Sequence, residues 1–259
     1  MQQDNSYNVR AVDRAIAILQ VFSFERQELT LSEIASELLL PKSTVFRILL
    51  TLEQSNMVVQ DAATGKYRLG YELIKMGEIA AESNPLRKLL HDEMKSVSEA
   101  TGQTCNLYVK DGFQRVCIAQ VVGSGYVRRH SYLGAKQPLY CGAGKLLLAY
   151  SDPAFQEQFF SEVEFKQFTE KTITNTESLK QDLENIRKKG YSVTLGERDA
   201  TTAMAAVPLC NYTGKVIASI TISGPVYSFT EANISAYIQE LQQAKQLIEK
   251  KLAYNRYSA

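Results

Sequence analysis

Hydrogen-bonding side chains are concentrated at one end of the short segment KSTVFRILLTLEQ, residues 42–54. The polar set in its first half is Lys42, Ser43, Thr44 and Arg47. Apolar residues recur at intervals of three and four on another side, which is the pattern of an amphipathic helix. A helix that enters the major groove of DNA presents hydrogen-bonding side chains at its N-terminal end. The segment therefore predicts a recognition helix.

Each polar residue of this segment suits a particular contact with DNA. Ser43 and Thr44 suit phosphate oxygens, together with the free backbone N–H groups of a helix start. Arg47 suits a guanine edge, a contact worth about 1–3 kcal/mol of discrimination between bases. Thr51 continues the same face, one turn further along. An ordinary amphipathic helix with a solvated face explains this segment alone equally well, so the neighbouring elements must decide.

Two helices are predicted before this segment, and their order supports the DNA-binding interpretation. Apolar residues follow a helical period over 9–22, and a second helix opens at TLSE. Thr30 and Glu33 there have the spacing of a capping box. Pro41 then separates the second helix from the third and fits the start of a helix.

A small hairpin is predicted after the third helix. MVVQDAATGKYRLG contains two strand-like runs around a turn at Thr64 and Gly65. Lys66 and Arg68 alternate with apolar residues in the second run and share one face. Three helices followed by a basic hairpin predict a winged helix-turn-helix, with Lys66 and Arg68 on the wing contacting the DNA backbone or minor groove. Arg10 is expected to act as a flanking contact.

The chain beyond the hairpin predicts a connecting helix and a larger α+β domain. A helical pattern over 71–83 ends at Asn84 and Pro85. We therefore expect a winged helix-turn-helix domain over 8–70, a linker helix over 71–83 and a second domain over 84–259. The second domain combines predicted helices (86–100, from about 144, 175–190 and 230–253) with strands near 103–109, 113–121, 126–131, 191–195, 203–209 and 216–223. Grouped strands between helices favour an antiparallel sheet.

Composition is that of a globular protein and leaves the partner open. The 259 residues are 45% hydrophobic and 22% charged, with a formal net charge of +1. Residues 1–83 are acidic, with eight Lys/Arg against eleven Asp/Glu, so DNA binding must rest on where the cations lie. No long apolar run or N-terminal apolar stretch occurs, so we expect no membrane span or signal peptide and a cytoplasmic location.

Enzyme and metal motifs are weak in this sequence. The four cysteines form no C-x-x-C pair, and the only histidines are His91 and His130. GAGK lacks the first glycine and the Ser/Thr of a phosphate loop, since those positions hold Leu139 and Leu146. VGSGY is not a nucleophile elbow, because Val122 stands where glycine is required. We expect no catalytic residues, cofactor or metal.

Several motifs in order resemble the IclR family of bacterial transcription regulators. The first is LTLSEIASELLLPKSTVFRILLTLEQSNMVVQDAATGKYRLGYELIKMG, and it is followed by GAKQPLYCGAGKLLLAY, IRKKGYSVTLGE and GKVIASITISGP. The resemblance covers nearly the whole chain. It implies a winged helix-turn-helix, a linker helix and a GAF-like effector-binding domain. It also implies dimers or tetramers on near-palindromic operators, with a small molecule that changes operator affinity.

The resemblance also implies an effector site on one face of the second domain's sheet. Matching motifs assign it to Gly142, Ala143, Met204, Thr221 and Ser223. Backbone N–H groups at a helix start and Ser/Thr hydroxyls suit a small carboxylate. Met204 stands where the family often has cysteine, and the loop before GK is one residue shorter than usual. Asn56 replaces a common glycine before the wing and tolerates the left-handed conformation.

These observations predict a bacterial DNA-binding transcription regulator, most simply a repressor, with double-stranded operator DNA, a small-molecule effector and further copies of itself as partners. Two alternatives remain at this point. One is a DNA-binding oligomer without an effector, whose second domain only oligomerises. The other is a ligand-processing enzyme fused to a helical head.

Overall fold

A computed structural model describes residues 9–124 and 132–255. The chain divides between Ser83 and Asn84 into two compact units, each with its own core. The strand predicted near 126–131 lies outside the described residues. Among the helices that the structure describes, none is both long and apolar enough to cross a membrane.

The N-terminal unit has the predicted order of three helices, a hairpin and a fourth helix. Its elements are α1 (Arg10–Gln20), α2 (Leu31–Glu37), α3 (Lys42–Gln54), β1 (Val58–Gln60), β2 (Tyr67–Leu69) and α4 (Tyr71–Ser83). The predicted capping box is present at the start of α2: Thr30 Oγ1 accepts from the Glu33 N–H, and the Glu33 carboxylate accepts from the Thr30 N–H.

The core of this unit fixes the orientation of α3. Val45 and Leu49 of α3 are fully buried, and they pack in one cluster with Ile18 of α1, Ile34 of α2 and Val58 of β1. Because residues three and four apart share one side of a helix, burying this side turns Lys42, Ser43 and Arg47 outward.

Backbone geometry at the entrance and exit of the wing is tightly constrained. Asn56 adopts a φ of 55°, which confirms the left-handed conformation expected of it. Gly70 closes the hairpin with an N–H bond of 2.8 Å to the Met57 carbonyl. A Cβ on Gly70 would lie 2.0 Å from the Asn56 carbonyl oxygen, so only glycine fits. The hairpin therefore holds a defined position beside α3.

The C-terminal unit is built on one antiparallel sheet with helices on both faces. Its elements are α5 (Pro85–Thr101), β3 (Thr104–Asp111), β4 (Gln114–Val121), β5 (Lys136–Pro138), α6 (Gly144–Ala149), α7 (Pro153–Glu162), α8 (Thr176–Lys189), β6 (Ser192–Leu195), β7 (Thr202–Cys210), β8 (Val216–Pro225) and α9 (Glu231–Tyr254). The described strands have the order β5-β4-β3-β8-β7-β6, and every neighbouring pair is antiparallel.

Alternate residues along each strand separate the two faces of this sheet. Leu107, Ala205 and Ile220 point into a core that includes α5 and α9. Tyr108 and Met204 point into a second core that includes residues of α6, α7 and α8. The effector residues expected on β7 and β8 all lie on this second face, because Met204 is opposite Ser223 and Ala206 is opposite Thr221.

Two short elements of this unit were not predicted from the sequence. β5 spans three residues and includes Pro138, so it has neither the length nor the alternation of a recognisable strand. α7 begins with Pro153 but fully buries only Phe159, so its apolar pattern is weak. β5 directly precedes the loop that carries Gly142, and α7 follows that loop after α6.

Leu39, in the turn between α2 and α3, generates a stability prediction. It has a φ of 53° and its side chain is 91% exposed, so a strained backbone is not offset by burial. A left-handed conformation costs a residue with a Cβ about 1–2 kcal/mol of stability, and glycine avoids this cost. Glycine also gains more entropy in the unfolded state, which cancels about 0.5–1 kcal/mol of the benefit. We expect Leu39→Gly to raise the free energy of unfolding of the N-terminal unit by about 0.5–1 kcal/mol, measured by chemical denaturation.

Leu39→Ala is the control for that substitution, since it removes the exposed side chain but keeps the Cβ and the strain. Its stability should match the parent chain. Equal effects of the two substitutions, or destabilisation by glycine, would contradict the strain account.

Candidate functional site

The start of α3 is open on its polar side. Pro41 precedes the helix and provides no side-chain cap, although its carbonyl accepts from the Thr44 N–H at 2.9 Å. The first N–H groups of a helix lack intrahelical partners. Lys42 and Ser43 are exposed beside them, and Thr44 is half-buried. This end of α3 has the donors and the charge to bind a phosphate.

Four of the eight residues predicted to contact DNA line one groove between α1 and α3. They are Arg10, Thr44, Arg47 and Thr51. Thr51 donates its hydroxyl to the Arg47 carbonyl at 3.2 Å, so its oxygen stays at the helix surface. Arg14 also lines the groove and was missed from the sequence. The sequence could have indicated this, because Arg14 lies one turn after Arg10 on α1 and therefore shares its face.

The two wing cations lie apart from that groove and close to acidic groups. The Arg68 guanidinium lies 5.6 Å from the centroid of the Tyr71 ring. Hydrogen bonds from Thr64 lower the pKa of Asp61, and the nearby Arg68 charge lowers it further. Hydrogen bonds from Thr30 lower the pKa of Glu33, with smaller contributions from Lys66 and Arg26. The cations of the wing therefore lie near two ionised carboxylates, one in the hairpin turn and one on α2.

A cavity of about 60 Å³ lies on the second face of the C-terminal sheet. Two of the five predicted effector residues, Gly142 and Met204, line it. The other lining residues are all polar or charged: Arg115, Gln137, Thr194, Glu197, Arg198, Asp199 and Thr202. A cavity of this volume has room for about five water molecules.

Gly142 is fixed in place by an internal carboxylate. It has a φ of 57°, and its N–H donates to Glu197 Oε2 at 2.9 Å. The other Glu197 oxygen accepts from the Lys145 ammonium, which also lies 2.7 Å from Asp182 Oδ2. The backbone donor that was expected to meet an effector anion is therefore occupied by Glu197.

The remaining three predicted effector residues lie outside the cavity lining. Ala143 and Thr221 are fully buried. Ser223 Oγ accepts from Asn106 Nδ2 at 2.9 Å, and Asn106 Oδ1 accepts from Gln120 Nε2 at 2.8 Å. Ser223 thus belongs to a side-chain network across β4, β3 and β8.

Arg115 is the principal cavity residue that sequence reasoning missed. Its side chain is 1% exposed. Its Nη1 donates to the Cys141 carbonyl at 2.9 Å, its Nη2 donates to Gln137 Oε1, and its guanidinium lies 4.8 Å from the Tyr108 ring centroid. The sequence offered one signal for this role. Arg115 alternates with Cys117 along β4, which places it on the inward face of the strand, where arginine is rarely found.

Metal and thiol chemistry have no support among residues 9–124 and 132–255. No group of three or more His, Cys, Asp or Glu side chains there could hold a metal ion. Burial raises the pKa of Cys117 to about 12 and also raises the pKa of Cys141, although the nearby Arg115 charge lowers both. Both thiols are therefore protonated at neutral pH.

Comparison with known proteins assigns both units to one family. The family described as "Bacterial transcriptional regulator IclR C-terminal" matches residues 79–250, and "IclR helix-turn-helix domain" matches residues 11–62. This chain belongs to the IclR family. It is therefore a helix-turn-helix transcription regulator and not an enzyme.

Three relatives show how much of the chain this membership covers. The regulator KdgR of Escherichia coli strain K12 is 32% identical over 251 residues, which are 96% of this chain and 95% of KdgR. The repressor AllR of the same strain is 31% identical over 86% of this chain and 82% of AllR. The crystal structure of Thermotoga maritima IclR matches with a TM-score of 0.72 at 32% identity, covering 94% of this chain and 98% of that one. The α+β architecture predicted from the sequence is confirmed.

Gly142 generates a prediction about how tightly the cavity is packed. A Cβ there would lie 2.8 Å from Arg115 Nη1 and 3.3 Å from Met204 Sδ, in addition to the strain of a positive φ. We expect Gly142→Ala to lower the free energy of unfolding by about 2–4 kcal/mol, combining backbone strain with overpacking.

Gly112→Ala is the matched control, because Gly112 has a φ of 54° and no atom within 4 Å of the added Cβ. It should cost only the strain, about 1 kcal/mol. Equal losses in both variants, measured by urea denaturation, would show that the guanidinium does not crowd Gly142.

Proposed function

We propose that this regulator reads operator DNA with the N-terminal half of α3 in the major groove. The observation that carries the proposal is the division of α3 into a buried side, with Val45 and Leu49 in the core, and an exposed side, with Arg47 in a groove beside Arg10. Recognition helices are held by an apolar back and read bases with their N-terminal residues. Arg47 is the base-reading residue in this arrangement, since its guanidinium can bind guanine O6 and N7 together.

The other cations are proposed to hold the DNA backbone. Lys42, Ser43 and Thr44 lie at the uncapped start of α3, where backbone N–H groups and the helix dipole favour a phosphate. Lys66 and Arg68 lie on the wing, and Arg10 lies on α1. Contacts of this kind fix register but carry no base sequence.

Self-association of the chain is proposed to pair two such heads on a near-palindromic operator. α4 buries none of its residues within the described chain, and it exposes four large apolar side chains: Tyr71, Ile74, Met76 and Ile79. Exposed apolar surface of this kind is typical of an interface. A two-fold dimer, or a dimer of dimers, would place half-sites about one helical turn apart or a multiple of it.

A small-molecule effector is proposed to bind the C-terminal cavity and to change operator affinity through α4. The relative AllR is named a repressor, which supports repression as the regulatory sense of this chain. A cytoplasmic location is proposed because operator DNA of bacteria lies there. Coupling between two sites is reciprocal, so operator DNA must change effector affinity by the same factor. Equal effector affinity with and without operator would rule out this coupling. A second domain that only oligomerises would be favoured if no small molecule altered DNA binding or thermal stability.

The division of roles on the DNA-binding face predicts different phenotypes for two substitutions. Arg47→Ala should relax specificity at one base position per half-site, with a loss of about 1–3 kcal/mol on the preferred operator. Lys66→Ala should weaken binding to all sequences and reduce the slope of log K against log salt by about one. Binding to a selected operator and to random DNA, measured over a salt series, separates the two.

Lys189→Ala is the control for net charge, since this exposed lysine lies at the end of α8 in the C-terminal unit. It should change neither specificity nor slope. Operator binding that survives both Arg47→Ala and Lys66→Ala unchanged would contradict the docking arrangement.

The exposed face of α4 predicts an effect on oligomeric state. The double substitution Ile74→Glu with Ile79→Glu should raise the dimer dissociation constant about tenfold or more, because an apolar interface cannot solvate carboxylates. Sedimentation equilibrium measures this directly, with Glu78→Gln on the same helix as the control. An unchanged association constant would exclude α4 from the interface.

A further inference from the structure

Two large apolar side chains lie on the outer surface of α3. Phe46 is 44% exposed, and Leu50, about one turn later, is 40% exposed. Neither belongs to the described core of the N-terminal unit or to the partly buried apolar side chains around that core. Core packing therefore does not require an aromatic side chain at position 46.

The helical period places both side chains beside the arginine that is proposed to read a base. Successive residues of an α-helix are about 100° apart around its axis, and Val45 and Leu49 mark the side that enters the core. Arg47 lies close to the opposite side. Leu50 and then Phe46 follow Arg47 around the helix in one direction.

The outer surface of α3 is consequently divided into a polar flank and an apolar flank. Thr44 and Thr51 lie on the flank that faces α1, where they line a groove with Arg47. Phe46 and Leu50 form the other flank. Arg47 stands between the two, so a base pair read by Arg47 would have neighbours close to the apolar flank.

Thymine is the base whose major-groove edge suits such a flank. Its C5 methyl group projects into the major groove, and phenylalanine is among the side chains that make apolar contact with it. The phenyl ring of Phe46 has neither charge nor hydrogen-bonding groups, so it gains nothing from a phosphate. Covering the methyl group removes apolar surface of both partners from water, which is favourable.

A second copy of the chain is the other candidate to cover Phe46, because exposed apolar side chains also form protein interfaces. The neighbouring charge argues against it. A protein surface over Phe46 would also take the adjacent Arg47 guanidinium out of water, which is costly without an anionic partner. DNA supplies negative charge and an apolar methyl group on one surface.

We propose that Phe46 is a second base-reading residue of this regulator and contacts the C5 methyl group of a thymine within two base pairs of the guanine read by Arg47. The inference rests on the proposed function, since it requires α3 to lie in the major groove. Neighbouring Cα atoms are about 3.8 Å apart and successive bases about 3.4 Å, so adjacent residues reach adjacent or next-adjacent base pairs.

The experiment uses the full chain and an operator selected from random DNA. Each thymine of that operator is replaced in turn by deoxyuridine, which lacks only the C5 methyl group. We expect one thymine per half-site at which this replacement weakens binding of the parent chain about fourfold, the effect of one buried methyl group. Phe46→Ala should bind the thymine and deoxyuridine forms of that position equally, because the contact is already lost.

A second measurement adds a methyl group instead of removing one. Cytosine at the same position should bind the parent chain more weakly than thymine, and 5-methylcytosine should recover part of that loss. Phe46→Ala should not distinguish cytosine from 5-methylcytosine. Phe46→Leu should retain part of the discrimination, since leucine keeps an apolar surface at the same place.

Two further variants are the controls. Arg47→Ala should keep the response to deoxyuridine of about fourfold, since Arg47 and Phe46 read different bases and independent losses add. Tyr212→Ala removes an exposed aromatic side chain of the C-terminal unit, and it should respond to deoxyuridine as the parent chain does. Sedimentation equilibrium on Phe46→Ala should give the dimer dissociation constant of the parent chain.

The proposal is overturned if deoxyuridine weakens the parent chain at no position, or if the parent chain and Phe46→Ala lose affinity equally at every thymine. A raised dimer dissociation constant in Phe46→Ala would also overturn it, by assigning Phe46 to a protein interface.

The specificity of Arg47→Ala separates this failure from failure of the proposed function. Relaxed specificity at one base in Arg47→Ala, without any response of Phe46 to methyl groups, leaves the docking of α3 intact and removes only the role of Phe46. Operator binding that is unchanged in both variants contradicts the docking itself.

Discussion

Burial of one side of α3 is the constraint on which the rest of the DNA-binding unit depends. Val45, Leu49 and Leu52 enter a core formed with α1, α2 and the wing, and this fixes the rotation of α3 about its axis. The orientation of Arg47 then follows from the helical period, without any specific interaction of its own. The exposed side of α3 takes no part in this core, so its residues can vary without loss of core packing.

The two units use arginine in opposite ways. Arg47 is exposed and solvated, so its charge costs little in the free protein, and in the proposed complex it would displace counterions from DNA. Arg115 is removed from water, and its guanidinium is held by neutral groups, among them the Cys141 carbonyl.

Elements with a strong local pattern could be predicted from the sequence, and those defined by tertiary contact could not. The capping box at Thr30 and α8, which begins after Asn175 and ends at Gly190, are both present as expected. β5 was missed because its pairing with β4 depends on a partner strand and not on its own residues.

The candidate sites divide in the same way. Gly142 and Met204 were assigned from motifs, and both line the cavity. Arg115 and Glu197 were missed, because their importance comes from burial and from partners 26 and 55 residues away in sequence. Ser223 lies on the expected face of the sheet, but its hydroxyl is engaged by Asn106. Residue type and spacing identify the face, while the hydrogen-bond partners decide which groups remain available.

A thermodynamic cycle between Arg47 and single operator guanines tests the central claim most directly. Each guanine of a selected operator is replaced in turn by 7-deazaguanine, which removes the N7 acceptor, and affinity is measured for the parent chain and for Arg47→Ala. The account predicts one position per half-site at which the two changes are strongly non-additive, because both remove the same contact. Additive losses at every guanine would show that Arg47 does not read a base in the major groove and would contradict the docking of α3.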